Sequence, residues 1–590
     1  MGNCFDVPAR SFQRNQQSFQ YARKYPEVTP MIFHFRKKQA SLMAIALYFS
    51  LSSLSFAAPA TPVIRKPESP VGSVSREATV YSSATPNTTQ NKIENKTRQT
   101  EAATTNITIH SAAAGQAPTT STATVKHAPE TTQRDAKSTS AKTAAKNTAA
   151  QEKDKKIVTP GHPFRIQDKE ENYRSRLSKA ATKRLDTTLA NMIGGTEDKV
   201  PGLAVIVFKD GKEIYRNMMG NRFLSPRNPK WNLPVTADSR FRVASISKIF
   251  TAAGYLKLAE QGKIKLDEDV SRYLGFTLRN PHFPNKVITS RMLLSHTSSI
   301  RDYPTPYVPF KSSVKAFFSS SDCWTPATRA PGVYFSYSNL NYVLLGTIIE
   351  KVTGQRFDKY MTQAILKPLD IKGSFNLRDF SSSDIQKMGT IYRKTKGESG
   401  RYYAQIDDRP LELPDADRLA SYRPGTNAGF FSPQGGLRIS PDELTHMLQM
   451  LMDKGKYKGT QILSPNTVRL METQIWKYDP VSQNGNIEDS SIESYGMPLQ
   501  LFRGDGETRP APNRPGFHLL GHLGEAYGFI GGLMWQPETQ NGFIFLQNGC
   551  ASSGNINKGT YSLNYRWEEN FMKAIIDNVF PYDNREYKSF

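Results

Sequence analysis

From about Pro59 to Ala150 the chain offers almost no large apolar side chain, as in "TTSTATVKHAPETTQRDAKSTSAKTAAKNTAA". Thr, Ser, Ala, Pro, Lys and Gln in such proportions cannot bury enough surface to offset the entropy lost when a backbone is ordered. The stretch is expected to be a disordered tether, so any packed core has to be built from the residues C-terminal to it. The 590 residues thus divide into a leader over 1–58, a tether over 59–172 and a globular part over 173–590.

Within the leader, "MIFHFRKKQASLMAIALYFSLSSLSFAAPA" carries Arg36, Lys37 and Lys38, an apolar run from Ala40 to Phe56, and small residues at Ala57 and Ala58. This is the layout of a secretory signal with translation starting at Met31. An apolar run of about 17 residues is at the short edge of a membrane span, so a retained anchor is the alternative. Either reading exports the bulk of the chain to the periplasm or cell envelope, with membrane association expected only if the leader stays uncleaved. Cys323 and Cys550 could pair in an oxidising compartment, although their spacing does not demand it. No Cys/His cluster has zinc spacing, and neither a metal nor another cofactor is expected. The formal net charge of +24 is spread over leader, tether and body without a nucleic-acid-binding motif. The expected partner for that charge is an anionic envelope polymer, met through the basic tether, and not a nucleic acid.

In the globular part, Leu177, Ala181, Leu185, Leu189 and Met192 recur at helical spacing. "GLAVIVFKDGKEIYRNMMG" then reads as two strands around an Asp210-Gly211 turn, which implies an antiparallel sheet. Ser247 to Gln261 is a buried helix ending at Gly262. Residues 265–430 mix helical pieces with Pro-rich loops, and from Gly435 the chain reads as a helix, strands and a last helix near Trp567 to Val579. Strands at both ends with helices between give an α/β fold: an antiparallel sheet flanked by helices, with a mostly helical insertion at about 265–430.

The chemistry starts at "FRVASISKIF", residues 241–250, where Ser245 stands three before Lys248 at a helix start. Residues i and i+3 share a helix face, so the hydroxyl and the amine can meet. The helix N-terminus adds free N–H groups and positive potential where an oxyanion would form. A desolvated lysine loses affinity for its proton and can act as base toward the serine. The pattern alone is not selective, because "SSVK" at Ser312 to Lys315 repeats it. Downstream, "PGVYFSYSNLNYVLLGTIIEKVTG" puts Tyr337 and Asn339 in a loop entering a helix, and "HLLGHLGEAYGFIGGLMW" puts His522, Leu523, Gly524 and Glu525 ahead of strand-like sequence. As an anionic base, Tyr337 would need neighbouring positive charge to supply about 4 kcal/mol at pH 7.

Taken in order, Ser-x-x-Lys, Tyr-x-Asn and His-x-Gly resemble the penicillin-recognising serine hydrolases, the family of class C β-lactamases, DD-peptidases and related serine esterases. The resemblance extends from near residue 175 through "LDEDVSRYLGF", "MLLSHTSSI", "GGLRISPDEL" and "ILSPNTVRLM". It implies a β-lactamase/transpeptidase-like fold and an acyl-enzyme on Ser245. Lys248 would activate the serine, Tyr337 would shuttle protons in concert with it, and Asn339 would orient the substrate amide or the lysine. His522 takes the place of a lysine in many relatives, Gly524 borders the substrate strand, and the backbone N–H groups of Ser245 and Glu525 would form the oxyanion hole. Relatives acting on penicillins or D-Ala-D-Ala ends usually carry a hydroxyl residue where this chain has Leu523. Losing that donor would cost roughly 1.5–3 kcal/mol in carboxylate recognition, and His522 would make the local charge depend on pH near neutrality.

The implied activity is an exported serine hydrolase acting on a small peptide or ester, first of all a D-amino-acid-containing envelope peptide in the manner of a DD-carboxypeptidase. An esterase, a weak β-lactamase and a non-catalytic envelope-bound scaffold remain open beside it. An α/β-hydrolase would need a Gly-x-Ser-x-Gly elbow, which the chain lacks. Replacing Ser245 by Ala is expected to abolish turnover on a folded protein, whereas Ser312→Ala should change kcat/KM by less than about twofold. The reverse outcome, read with an activated ester, would move the nucleophile to Ser312.

Overall fold

A computed structural model describes residues 170–194, 199–320, 322–394, 402–551 and 558–580. All of them belong to a single compact unit, and the chain's other unit, residues 14–154, lies outside them. The expected leader and nearly all of the expected tether therefore fall outside the described residues, as do the last ten positions.

The Asp210-Gly211 pair turns the chain as its composition predicts, with φ of 51° and 73° at the two residues, a conformation that favours Gly and Asp. It joins β2 (Gly202–Lys209) to β3 (Lys212–Phe223). The chain enters differently from the sequence reading, because Tyr173–Ser175 is a strand, β1, paired antiparallel to β3. Ser178 accepts from the Ala181 N–H and caps helix α1 (Lys179–Ala190), so the helical spacing begins to count only there. Past the helical region, short strands β4 (Trp476–Lys477), β5 (Ser494–Tyr495) and β6 (Gln500–Phe502) lead to β7 (Leu519–Ala526), β8 (Phe529–Gln536) and β9 (Asn541–Gln547). The sheet runs β1-β3-β2-β9-β8-β7-β6-β5-β4, antiparallel between every neighbouring pair of the path.

Side-chain alternation divides the core. Leu203, Val205 and Val207 of β2 join an apolar cluster with Leu185 and Leu189 of α1 and with Phe571 and Ile575 of the last helix, α5 (Arg566–Val579). Ala204, Ile206 and Phe208 join the other cluster, which holds α2 (Ser247–Glu260), α3 (Asn339–Thr353) and α4 (Pro441–Met452). Cys323 belongs to this second cluster and Cys550 to the first. Almost every position of α2 is buried, so it is a central helix with no solvent face of its own. A capping box between Ser440 and Glu443 starts α4.

The insertion is less helical than expected. Ile391–Lys394 and Tyr403–Ile406 form an antiparallel pair, and the first of them lies parallel to Gly549–Ala551 just beyond β9. The Ile and Tyr residues of these short pieces give no period long enough to separate strand from loop by sequence alone. On the α1/α5 face, Phe571 stacks on Phe545 with ring centroids 4.8 Å apart and 18° between planes. Phe571→Ala should lower unfolding stability by about 3–5 kcal/mol in urea titration, with the m-value unchanged.

Candidate active site

The nucleophile turn is set by backbone geometry. Phe241–Arg242 pairs with Arg438–Ile439, and the chain then passes through Ala244 at φ 45°, a left-handed conformation unusual for alanine, into one 3-10 turn (Ala244–Ile246) that runs directly into α2. Ser245 thus sits at the head of the helix, with Lys248 in its first turn.

Lys248 is fully buried, and its Nζ donates to Ser245 Oγ at 2.9 Å, Asn339 Oδ1 at 2.8 Å and the Gln434 carbonyl at 2.9 Å. Burial lowers its pKa to about 7, with the Asp302 carboxylate pulling the other way. Tyr337 donates from its hydroxyl to Ser245 Oγ at 2.9 Å. Its own pKa is pushed up, chiefly by burial, so the phenol stays protonated at neutral pH and can pass a proton but not act as a standing phenolate base. The ammonium of Lys248 lies 4.9 Å from the Tyr337 ring centroid and 5.3 Å from that of Tyr342. The competing Ser312 donates to the Ser313 carbonyl, and Lys315 is exposed, so that pair forms no site.

Asp302 escaped the sequence reading. Its two oxygens accept from Ser338 Oγ (2.8 Å), Asn339 N (2.9 Å), Asn339 Nδ2 (2.8 Å) and Leu340 N (3.2 Å). The carboxylate therefore caps α3 from a distant loop, while Ser338, the N-cap residue, makes no side-chain cap bond of its own. By occupying Asn339 Nδ2 it turns Asn339 Oδ1 toward Lys248. A helix start whose natural cap serine points elsewhere is the one local signal, but it does not name the partner. His296, also unforeseen, accepts at Nδ1 from Ser338 N at 3.1 Å, and its ring lies 4.3 Å from that of Tyr337. Burial, then the charge of Lys248, holds its pKa well below normal.

The third motif lies inside β7 and not ahead of a strand. A Cβ on Gly524 would lie 2.8 Å from the Val243 carbonyl oxygen and 3.3 Å from Ile246 N, so the strand passes against the nucleophile turn at a distance only glycine allows. His522 is buried, with Nε2 3.0 Å from Tyr495 OH and Nδ1 bonded to the Leu523 carbonyl. Burial, with Lys248 adding to it, brings its pKa down to about 3. It is neutral at pH 7, contrary to the expected titration near neutrality, and its ring centroid is 6.2 Å from that of Tyr337. Leu523 also departs from expectation. Alternation along β7 sends its side chain into the α1/α5 cluster with Ile530 and Phe545, away from Ser245, so it does not line the site. Glu525 accepts from Arg393 Nη2 at 3.0 Å. Among the described residues no group of three or more His, Cys, Asp or Glu side chains is arranged to hold a metal ion.

The four bonds on Asp302 predict the behaviour of Asp302→Asn. Removing a charged acceptor should lower kcat/KM by about 10–100-fold and, by deleting the anion that supports the protonated amine, move the acid limb of the pH–rate profile to lower pH. A merely structural role would lower the melting temperature and leave that limb in place.

Residues 179–558 match the family model described as Beta-lactamase. Protein flp of Staphylococcus aureus (strain N315) is 30% identical over 383 residues, covering 63% of this chain and 64% of its own. The chain thus spans less than two thirds of the length of these relatives. Penicillin-binding protein 4 of Amycolatopsis lactamdurans is 28% identical over 282 residues, 48% of this chain and 67% of that protein. Among solved structures, the octameric penicillin-binding protein homologue from Pyrococcus abyssi shares 26% identity over 63% of this chain and 73% of that one, with a TM-score of 0.46. The D-amino acid amidase from Ochrobactrum anthropi SV3 shares 20% over 68% and 100%, with a TM-score of 0.47. The family model spans well over half of the 590 residues and includes the Ser245, Lys248, Tyr337 and Asn339 positions, so the chain belongs to the β-lactamase family of serine hydrolases.

Proposed function

We propose that this hydrolase works through an acyl-enzyme on Ser245, cleaving an amide or ester. The observation that carries the reading is the convergence of Lys248 Nζ and Tyr337 OH on Ser245 Oγ, each at 2.9 Å, with the lysine's pKa lowered to about 7. In its neutral form Lys248 takes the serine proton as Oγ attacks the scissile carbonyl carbon. Tyr337 then hands a proton to the leaving amine or alkoxide as the C–N or C–O bond breaks, and is reprotonated by the proton that Lys248 took from Ser245. The backbone N–H groups of Ser245 and Glu525 would hold the oxyanion, each donor supplying around 3 kcal/mol of transition-state stabilisation. Water deacylates the enzyme by the same groups in reverse.

The substrate class we assign is a D-amino-acid-containing peptide of the cell envelope, reached after export, with the basic tether as the contact to an anionic envelope polymer. The penicillin-binding relative supports it. So does the open edge of β7, since β6 pairs only with Leu519 to Gly521 and leaves room for an extended peptide to add as a strand. A DD-carboxypeptidase is one form of this activity. A neutral His522 brings no positive charge for a β-lactam carboxylate, which ranks β-lactam hydrolysis below peptide or ester cleavage. The intact Ser245, Lys248 and Tyr337 contacts argue against a scaffold.

If Lys248 is the base, kcat/KM on an activated ester should rise as pH passes upward through about 7, where the amine loses its proton, and level off above it. Intact-mass spectrometry after exposure to a fluorescent penicillin, an activated ester and a fluorophosphonate should show an adduct that Ser245→Ala removes. A folded protein that reacts with none of the three would sink the acyl-enzyme reading.

A further inference from the structure

Two consecutive carbonyls hold two cations beside the nucleophile. Gln434 O accepts from Lys248 Nζ and Gly435 O from Arg242 Nε, both at 2.9 Å, and Gly435 lies against Ala244, the residue before Ser245. Lys248 has its place in the acyl-enzyme chemistry, whereas Arg242 has none so far. Arg242 is half-buried, and its two Nη groups, which remain open to solvent, have no acceptor among the described residues. The nearby acids are committed elsewhere. Asp407 takes both its bonds, at 3.0 and 2.8 Å, from Arg438, the strand partner of Arg242, and Glu525 accepts from Arg393. Burial, then the charge of Arg438, lowers the Arg242 pKa, yet a guanidinium stays charged at neutral pH.

The second part of the feature is Tyr527. Only Tyr527 and Gly528 join β7 to β8, since Ala526 pairs with Phe529, and both have positive φ, 58° and 98°. Such a turn favours Asn or Asp ahead of the glycine, so a tyrosine there strains the backbone. Its ring is 44% exposed and contributes little to the core, and Arg242 Cζ stands 5.1 Å from its centroid. Neither turn preference nor core packing accounts for this tyrosine, and its contact with an unpaired cation does. Every neighbour of β7 pairs with it antiparallel. A substrate added to its edge in the same sense, with the scissile carbonyl on the Glu525 amide, runs its acyl side toward Tyr527 and its leaving group toward His522. The two residues of strand from Glu525 to Tyr527 span about 7 Å.

We propose that Arg242 and Tyr527 form a carboxylate subsite on the acyl side of the scissile bond, selecting substrates with an acidic group about 7 Å ahead of the attacked carbonyl. The proposal rests on the acyl-enzyme reading above. It narrows the envelope-peptide class to peptides with an acidic residue shortly before the cleaved bond. The free Nη pair suits a carboxylate in bidentate geometry, and the Tyr527 ring shields one side of that pair from water.

The test is a charge series of near-identical shape on the full chain at pH 7: the p-nitrophenyl esters of N-succinyl-, N-succinamoyl- and N-(β-alanyl)-D-alanine, with Ser245→Ala as the blank. The expected kcat/KM is highest for the succinyl anion, about tenfold lower for the neutral amide and lower again for the ammonium, and Arg242→Gln compresses the series to within about threefold. Should that variant not fold, Tyr527→Asn decides, because Asn suits the turn: the melting temperature should hold or rise while the succinyl preference falls at least about threefold. An unchanged preference in a folded Arg242→Gln, or in Tyr527→Asn where Arg242→Gln does not fold, would overturn the assignment. Equal rates for the three probes on the unaltered chain, or a preference for the ammonium, with the Ser245 adduct still formed, would overturn the subsite and leave the acyl-enzyme standing. Absence of both turnover and adduct would remove the acyl-enzyme reading and this inference with it.

Discussion

An amine held among three oxygens and two aromatic rings, out of reach of water, is the interaction around which the site is organised. An ammonium moved from water to such a place loses hydration that protein acceptors only partly replace, and the imbalance appears as a pKa of about 7. The acceptors come from three separate segments, so the pKa depends on each being held. Asp302 holds Asn339. The loop carrying Gln434 is stitched to α2, where Thr251 Oγ1 donates to the Pro433 carbonyl at 2.7 Å and Leu437 N donates to Ser247 Oγ at 3.1 Å. The serine is held by its own helix start.

The sheet supplies the remaining constraint. Residues of β7 alternate between an apolar layer under α1 and α5 and the opposite face, where Leu520 joins the second apolar cluster and Gly524 lies against the turn of Ser245, so one strand anchors the core and borders the site at once. Leu519 and Leu523 carry the first duty, His522 and Gly524 the second. Because Gly524 admits no side chain, the strand can lie against the turn that carries Ser245, the approach that the proposed oxyanion role of the Glu525 amide requires.

Much of this was legible in the sequence where a local rule applied. The Asp210-Gly211 hairpin, the buried helix after Ser245 and the last helix come from turn chemistry and periodicity, and the three motifs brought Ser245, Lys248, Tyr337 and Asn339 together by resemblance. What was not legible is what distance in the chain conceals. Asp302 is 37 residues from Asn339, and nothing local says that a carboxylate in one loop caps a helix begun by another. Leu523 was misjudged because a three-residue motif was read without the strand's two-residue period, which turns its middle residue away from its ends. The short strands from Trp476 to Phe502 looked like loop because two or three residues are too few to show alternation.

The charge inventory gives the site a simple proton logic. His296 and His522 are held neutral by burial and by the nearby amine, and Tyr337 is held as a phenol. Asp302 offers only acceptors to its four donors, which is the behaviour of an ionised carboxylate even though burial works against it. Of the groups in contact with Ser245, Lys248 is the one whose protonation changes near neutrality, with burial lowering its pKa and Asp302 raising it. The two histidines share the amine's surroundings without becoming charged, so they confine it without supplying a competing proton. Lys248 therefore holds the proton that titrates near neutrality, burial and Asp302 place its equilibrium, and the two histidines and Tyr337 keep one protonation state beside it.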